Sequence, residues 1–368
     1  IDLQFERGYE DIDKPDANDY STWSRNVMRN RISQLVYDFG GREGTIESAE
    51  STLGEAQAYL DQIRQEVLTQ GITAYLNVIR GREMLKYAVQ SEENIKRLSG
   101  MQEALVRRGA GLSYEELQVK AQLAGAMAHR VSTERQLMTA RNNFRSVFGF
   151  RLGDEEVARM QLPAIPKTRI PENLEAAIQT AHADNPALVQ LEYQYDRTQA
   201  DLKAQEASFF PSVSLVGENQ IKQNDQGTAG TRSEVRGTVQ VDYNLFSGGA
   251  DTQAVKAIKE QAVSVKKQTM DRRRTVEESV RNAWLDLMTL RKNVELYNNQ
   301  ANINWEFLGA IKKKKAIGDE VNLLSILIGE RDYITSVSAR VAAEIDTIKA
   351  GYRLLYTMGQ IDTDVVPQ

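Results

Sequence analysis

The chain has 368 residues, 41% hydrophobic and 26% charged, with a net charge of −5. Long stretches keep an apolar periodicity, which excludes disorder; the mild acidity argues against nucleic acid; and the absence of cysteine removes disulfide and thiol chemistry. No run of 18 apolar residues occurs, so a transmembrane helix is excluded, whereas a β-barrel, whose alternating signal averages out in hydropathy, is not.

The first predicted element is a strand with Ile1, Leu3, Phe5 and Tyr9 alternating with Asp2, Gln4, Glu6 and Gly8. The loop DIDKPDAND at 11–19 joins it to a second strand over 21–37. There Arg25, Arg29 and Arg31 share one phase and Met28, Ile32 and Val36 the other. After Gly41 a helical pattern without proline runs to about Arg108. Ile46, Leu53, Leu60, Val67 and Ala74 recur every seven residues, the mark of a supercoiled seam. About 67 residues at 1.5 Å each span roughly 100 Å, the length of a rod or tube rather than of a globular domain. A turn, RRGAGLSYEE at 107–116, leads to a shorter helix over about 114–148.

A proline-bearing linker, LPAIPKTRIP at 162–171, precedes short helices at about 172–183 and 186–208, with Asn185 placed to cap the latter. A clearer hairpin follows. Its first strand, over about 212–222, carries Val213, Leu215 and Ile221 on one face. In the second, Val235, Gly237, Val239, Val241, Tyr243 and Leu245 share a face, opposite Arg236, Thr238, Gln240, Asp242 and Asn244. The polar stretch NDQGTAGTR at 224–232 is expected to loop between them. A second long helical pattern then repeats the seven-residue step through Val255, Ala262, Thr269, Val276, Ala283 and Leu290. The turn KKKKAIGDEVN at 312–322 and a helix over 321–357 complete the chain.

The chain thus states one plan twice, at an offset of about 209 residues, as duplication of a structural unit would produce. VYDFGG at 36–41 corresponds to YNLFSGG at 243–249, Ala74-Tyr75-Leu76 to Ala283-Trp284-Leu285, and Gly109 to Gly318. At the two junctions Gly40, Gly41, Gly248 and Gly249 let an extended backbone turn helical without a β-carbon in the way. The second copy has a helix before its first strand and the first copy does not, so a matching helix is expected upstream of Ile1. With no initiating methionine and no signal peptide in view, removal of an upstream segment is expected too.

Four strands, each with one apolar and one polar face, suit a membrane barrel with lipid outside and a polar lumen. Four cannot close a barrel, so several chains must contribute. A soluble coiled-coil scaffold is the alternative, but scaffolds need no amphipathic hairpins. His129 and His182 lie in different segments, GGREGT at 40–45 lacks a phosphate-loop ending, and no residues converge as a catalytic, metal or cofactor site.

Over nearly its whole length the chain resembles the TolC family of bacterial outer-membrane export ducts. The junctions VYDFGG and YNLFSGG are similar to that family's Leu-Phe-Asp-Gly-Gly hallmark, 184–217 to its helix entering a strand at Pro211, and GERDYI at 329–334 to the stretch after its second periplasmic turn. The resemblance implies an α+β membrane protein of two repeats, each a β-hairpin plus long coiled-coil-like helices. Three copies would form a twelve-stranded barrel continuous with an α-helical periplasmic tunnel. The expected division is a barrel hairpin at 1–39, tunnel helices at 40–150, a linker or equatorial region at 151–185, a helix at 186–210, a second barrel hairpin at 211–247, tunnel helices at 248–360 and a tail at 361–368.

The implied function is a passive duct, not an enzyme, working with a periplasmic adaptor and an inner-membrane pump. An ABC transporter in type I protein secretion is favoured by the YDFGG junction; a proton-driven pump exporting small molecules is the alternative. The implied periplasmic gate comprises Lys315, Asp319, Glu320, Glu115 and Glu116, with Lys315 or a neighbouring lysine pairing Glu115 or Glu116. Where the family carries a tyrosine and two aspartates this chain has Lys315, Ser325 and Ile328, so Asp319 and Glu320 are the candidates for an acidic ring. Adaptor docking falls to Gly109, Gly111, Leu112, Ile317 and Gly318. Arg25, Arg29, Arg31 and Arg236 should face the lumen, because arginine on the lipid face costs about 2–4 kcal/mol at the midplane. Trp23 and Tyr243 are candidate interface aromatics.

Overall fold

A computed structural model describes residues 1–14, 19–109, 111–317 and 323–364. It is mostly helical, with one antiparallel sheet in the order β1-β2-β3-β4: β1 (Asp2–Lys14), β2 (Asp19–Tyr37), β3 (Ser212–Asp225) and β4 (Thr228–Asp242). The helices are α1 (Gly41–Arg107), α2 (Ser113–Phe148), α3 (Asp154–Arg159), α4 (Leu174–Asp184), α5 (Pro186–Glu206), α6 (Ala250–Ala316) and α7 (Leu323–Thr357). Two compact units result. One comprises 1–56 and 191–269, and the other 57–190 and 270–368.

In the first unit the register sorts the side chains. Asp2, Arg31, Glu218 and Arg236 form one row across all four strands, alternating in sign. Opposite charges abreast on neighbouring strands attract, so this row supports the register. Glu6, Lys222, Arg29 and Glu234 lie on the same face. The reverse face carries Phe5 beside Met28 beside Ile221, and Leu215 beside Val239. A bulge between Leu35 and Tyr37 takes Val36 out of the pairing, so its expected phase with Met28 and Ile32 is lost there.

Both hairpins differ from expectation at their ends. β3 runs to Asp225 and β4 starts at Thr228, so the expected loop at 224–232 is mostly ladder closed by Gln226 and Gly227, both with positive φ. The polar sequence misleads because an exposed strand end needs no apolar side chains, only paired backbone. β1 likewise continues to Lys14, into the expected loop at 11–19. Conversely, β4 ends at Asp242, opposite Ser212, so Tyr243 and Leu245 lie beyond the strand. Proline at 211 cannot donate a ladder hydrogen bond, and the pairing stops there.

Against the sheet's helical neighbours, α5 lies close along the start of α1. Gly44 permits this, because a β-carbon there would sit 2.7 Å from the Ala204 nitrogen and 2.8 Å from the Ala200 carbonyl oxygen. Arg197 to Glu55 (2.9 Å) and Lys203 to Glu47 (2.8 Å) lace the same pair of helices.

The second unit holds the core. Leu76 and Ile79 of α1, Leu287 of α6, and Ile345, Leu354 and Leu355 of α7 pack with Ile178 of α4. A smaller cluster unites Ile95 and Leu98 of α1 with Val119 of α2, Leu308 of α6 and Leu323, Ile326 and Leu327 of α7. The repeat is not symmetric in its packing. Leu76 is fully buried, whereas its counterpart Leu285 is exposed. The α6 seam residues Val255, Ala262, Val276 and Ala283 are buried within the chain, but Ile46, Leu53, Leu60 and Val67 of the α1 seam are exposed, Leu53 by 60%.

Gly44→Ala forces backbone against backbone and is expected to destabilise by about 1–3 kcal/mol, as overpacking does. Gly100→Ala meets open space in the same helix and gains helix propensity, so it leaves stability unchanged or slightly raised. Comparison of their thermal unfolding midpoints checks the pair.

Candidate functional site

Four places hold the side chains that the resemblance singles out or lie beside them: the polar face of the sheet, the strand-to-helix junctions, the helical tips, and a buried carboxylate of α7. On the polar face Glu6 accepts from both Arg25 (3.0 Å) and Arg29 (2.9 Å). Arg25 also binds Asp225, whose side chain is nearly buried. Arg31 lies 3.4 Å from Glu218 and donates to Gln240, while Arg236 approaches Glu234 at 3.8 Å. All four arginines expected in a lumen therefore occupy one face, each beside a carboxylate. Val27, on the same face between Arg25 and Arg29 along β2, is buried.

At the junctions, Phe39 and Gly40 have φ of 55° and 96°, and Gly248 and Gly249 have φ of 66° and 87°. A β-carbon at Gly248 or Gly249 would meet nothing within 4 Å, so the expected obstruction is absent and the left-handed backbone itself selects glycine. Gly41 differs: its β-carbon would lie 3.3 Å from that of Ala207. Asp38 accepts from the Arg42 backbone N–H and caps α1. Phe39 stacks on Phe210, with ring centroids 4.9 Å apart, which fixes the first junction to the entry of β3.

At the tips, Gly109 has φ of 71° and its N–H bonds the Val106 carbonyl. Gly111 lets the chain return close to Val106, since a β-carbon there would sit 3.0 Å from the Val106 nitrogen. Leu112 and Ile317 are exposed. Gln102, buried in α1, donates to Glu115 (2.9 Å), and Glu116 pairs with Lys120 (2.6 Å). The hydrogen bond and charge of Glu116 raise the Lys120 pKa above its ordinary value. Within the chain, therefore, Glu115 and Glu116 engage Gln102 and Lys120 rather than Lys315, which is half-buried at the end of α6. Gly318, Asp319 and Glu320 lie outside the described residues, as do residues 321 and 322. Trp23 is placed only as a strand residue paired with Glu10.

One site was not expected from the sequence. Glu330 of α7 is 4% exposed and accepts from Asn94 of α1 (2.9 Å) and Lys312 of α6 (2.5 Å). One carboxylate thus ties three helices. Its signal lay in the α7 apolar series Leu323, Ile326, Leu327, Glu330, Ile334, Val337, where a charge interrupts a buried stripe. Among the described residues no cluster of side chains suits a metal ion, and no helix is long and apolar enough to cross a membrane.

The family described as outer membrane efflux protein matches residues 1–149 and 177–323. The chain belongs to that family. Outer membrane efflux protein BepC of Brucella suis biovar 1 (strain 1330) is 23% identical over 358 residues, spanning 95% of this chain and 75% of that one. Cobalt-zinc-cadmium resistance protein CzcC of Cupriavidus metallidurans is 25% identical over 209 residues, 55% of this chain and 49% of its own. The fold is that of the outer-membrane channel OprN, with a TM-score of 0.82 at 18% identity, covering 98% of this chain and 81% of that one. The resemblance read from VYDFGG and YNLFSGG is borne out. As a member of the outer membrane efflux protein family the chain is an outer-membrane channel protein, not an enzyme.

Lys312→Met removes the charge facing Glu330. A loss of about 1–3 kcal/mol is expected for stranding a buried acceptor, moderated because the Lys312 end is half in water. Lys313→Met, one residue on and exposed, is expected to cost less. Denaturant unfolding of the two variants checks the difference.

Proposed function

We propose that three copies of the chain form a continuous duct, with the sheets closing a twelve-stranded barrel in the outer membrane and the helices a periplasmic tunnel. The observation that carries this reading is the sheet itself. It has unlike faces and ends at two long unpaired edges, β1 and β4. Unpaired strand edges in lipid are untenable, because each lone N–H and C=O costs several kcal/mol, so the edges must meet those of other copies. The exposed α1 seam, Ile46, Leu53, Leu60 and Val67, supports it, being an apolar stripe that a neighbouring copy would cover.

The tips are the proposed gate and dock. Three copies bring Lys315, Glu115, Glu116, Asp319 and Glu320 towards one axis, where a lysine–glutamate pair would hold the closed state. Gly109, Gly111, Leu112, Ile317 and Gly318 are the proposed adaptor surface, two exposed apolar side chains on glycine turns. Conductance of Lys315→Ala trimers in bilayers tests the gate; an unchanged value rejects the pair.

The duct serves an inner-membrane pump through a periplasmic adaptor. Type I secretion of a protein by an ABC transporter is favoured by the YDFGG junction. Export of small molecules by a proton-driven pump is favoured by the efflux and metal-resistance names of the relatives. Deletion separates them: loss of one large protein from the medium supports the first, and sensitivity to added toxic compounds supports the second.

Leu60→Glu places a charge on the exposed α1 stripe. The expected outcome is loss of the trimer by light scattering in detergent with helical circular dichroism retained; a variant that still assembles would overturn the role of the seam.

A further inference from the structure

The tip of the second hairpin does not follow its own strands. The pairing of β2 with β3 ends at Asn26 opposite Gln223, while β1 and β2 continue together to Lys14 opposite Asp19. Beyond Gln223 the register with β4 shifts: Asn224, with a φ of 50°, is left out of the pairing before Asp225 pairs with Thr228. The turn then makes three contacts. Asp225 accepts from the Arg25 Nε at 2.5 Å, with its side chain only 9% exposed. The Asn224 amide donates to the Ser24 carbonyl at 3.3 Å. The Gln226 backbone N–H donates to the Glu10 carboxylate at 2.8 Å.

The last contact decides the geometry. Glu10 is a β1 residue, so β2 lies between it and β3. Adjacent strands are spaced about 4.8 Å apart, which puts β1 roughly 10 Å from the line of β3. A direct hydrogen bond therefore requires the turn to lean across β2 towards β1. It leans over the polar face, because Glu10 and Arg25 share that face with Glu6 and Arg29. Arg25 is the pivot, since its guanidinium holds Asp225 of the turn and Glu6 of β1 together.

We propose that this turn, Asn224–Gly227, is a size-selecting collar at the outer mouth of the duct, pinned inward by Arg25 and Glu10. The proposal rests on the reading that the polar face lines a lumen. Around a three-fold axis, three such turns lean into the opening and set its narrowest outer cross-section. What passes is then chosen partly by three backbone turns rather than by the barrel diameter alone.

The chain contains no cysteine, so a single introduced thiol can be addressed cleanly. Gln226→Cys keeps the backbone N–H that bonds Glu10. In reconstituted trimers a bulky anionic methanethiosulfonate added from the outer side is expected to lower the single-channel current of this variant. It should leave Val239→Cys, on the opposite face, unaffected. Arg25→Gln releases the turn and exposes the Asp225 and Glu6 carboxylates. It is expected to raise conductance, admit larger polyethylene glycols and shift the reversal potential towards cations. Current through Gln226→Cys that the reagent does not change overturns the collar while leaving the duct standing. Unmodified protein that forms trimers but carries no current overturns the duct reading and the collar with it.

Discussion

The requirement on which the rest depends is that a two-faced sheet with open edges must hide both its apolar face and its unpaired backbone. Period-two patterning creates the faces. The order β1-β2-β3-β4 leaves the edges at β1 and β4. Among the described residues the apolar face still carries exposed Leu3, Phe5, Leu215, Val239 and Val241, so the helices, α1 and α6 included, do not cover it. A family whose members reside in the outer membrane supplies lipid for one face. In the proposed trimer, other copies supply strands for the edges.

The same division between what a chain satisfies alone and what it leaves for a neighbour runs through the helices. Both long helices carry a seven-residue apolar step, yet only α6 buries its own near the hairpin. Duplication gave two equivalent patterns, and folding used them differently, one inward and one outward. The pair Leu76 and Leu285 shows the same divergence. Equivalence in sequence is therefore equivalence of element, not of environment.

Much of the fold was legible in the sequence because period two and period seven are long-range regularities that single substitutions do not erase. The polar phase of Arg25, Arg29, Arg31 and Arg236 follows from counting alone. The hairpin ends were not legible, because polar, glycine-containing stretches such as NDQGTAGTR fit a loop and an exposed ladder equally well. Only the register separates them. Tyr243 kept the right phase for a strand that had already ended, since pairing depends on a partner, and Ser212 was the last one available. Glu330 was hidden for a different reason. Its meaning requires Lys312 from the preceding helix and Asn94, which lies far away in the chain.

The arginines of the polar face have a consequence beyond keeping charge out of lipid. Asp2, Arg31, Glu218 and Arg236 alternate in sign along one row, Glu6 serves two guanidiniums, and Asp225 serves Arg25 and Lys222. Opposite charges set this close cancel within a few ångströms of the wall, so the field a passing molecule feels decays faster than that of a ring of one sign. Such a surface is wet everywhere and adhesive nowhere. If the proposed duct is lined by this face, freight moving along it meets neither a trap nor a barrier of its own charge, and its dwell time there is set by friction with water.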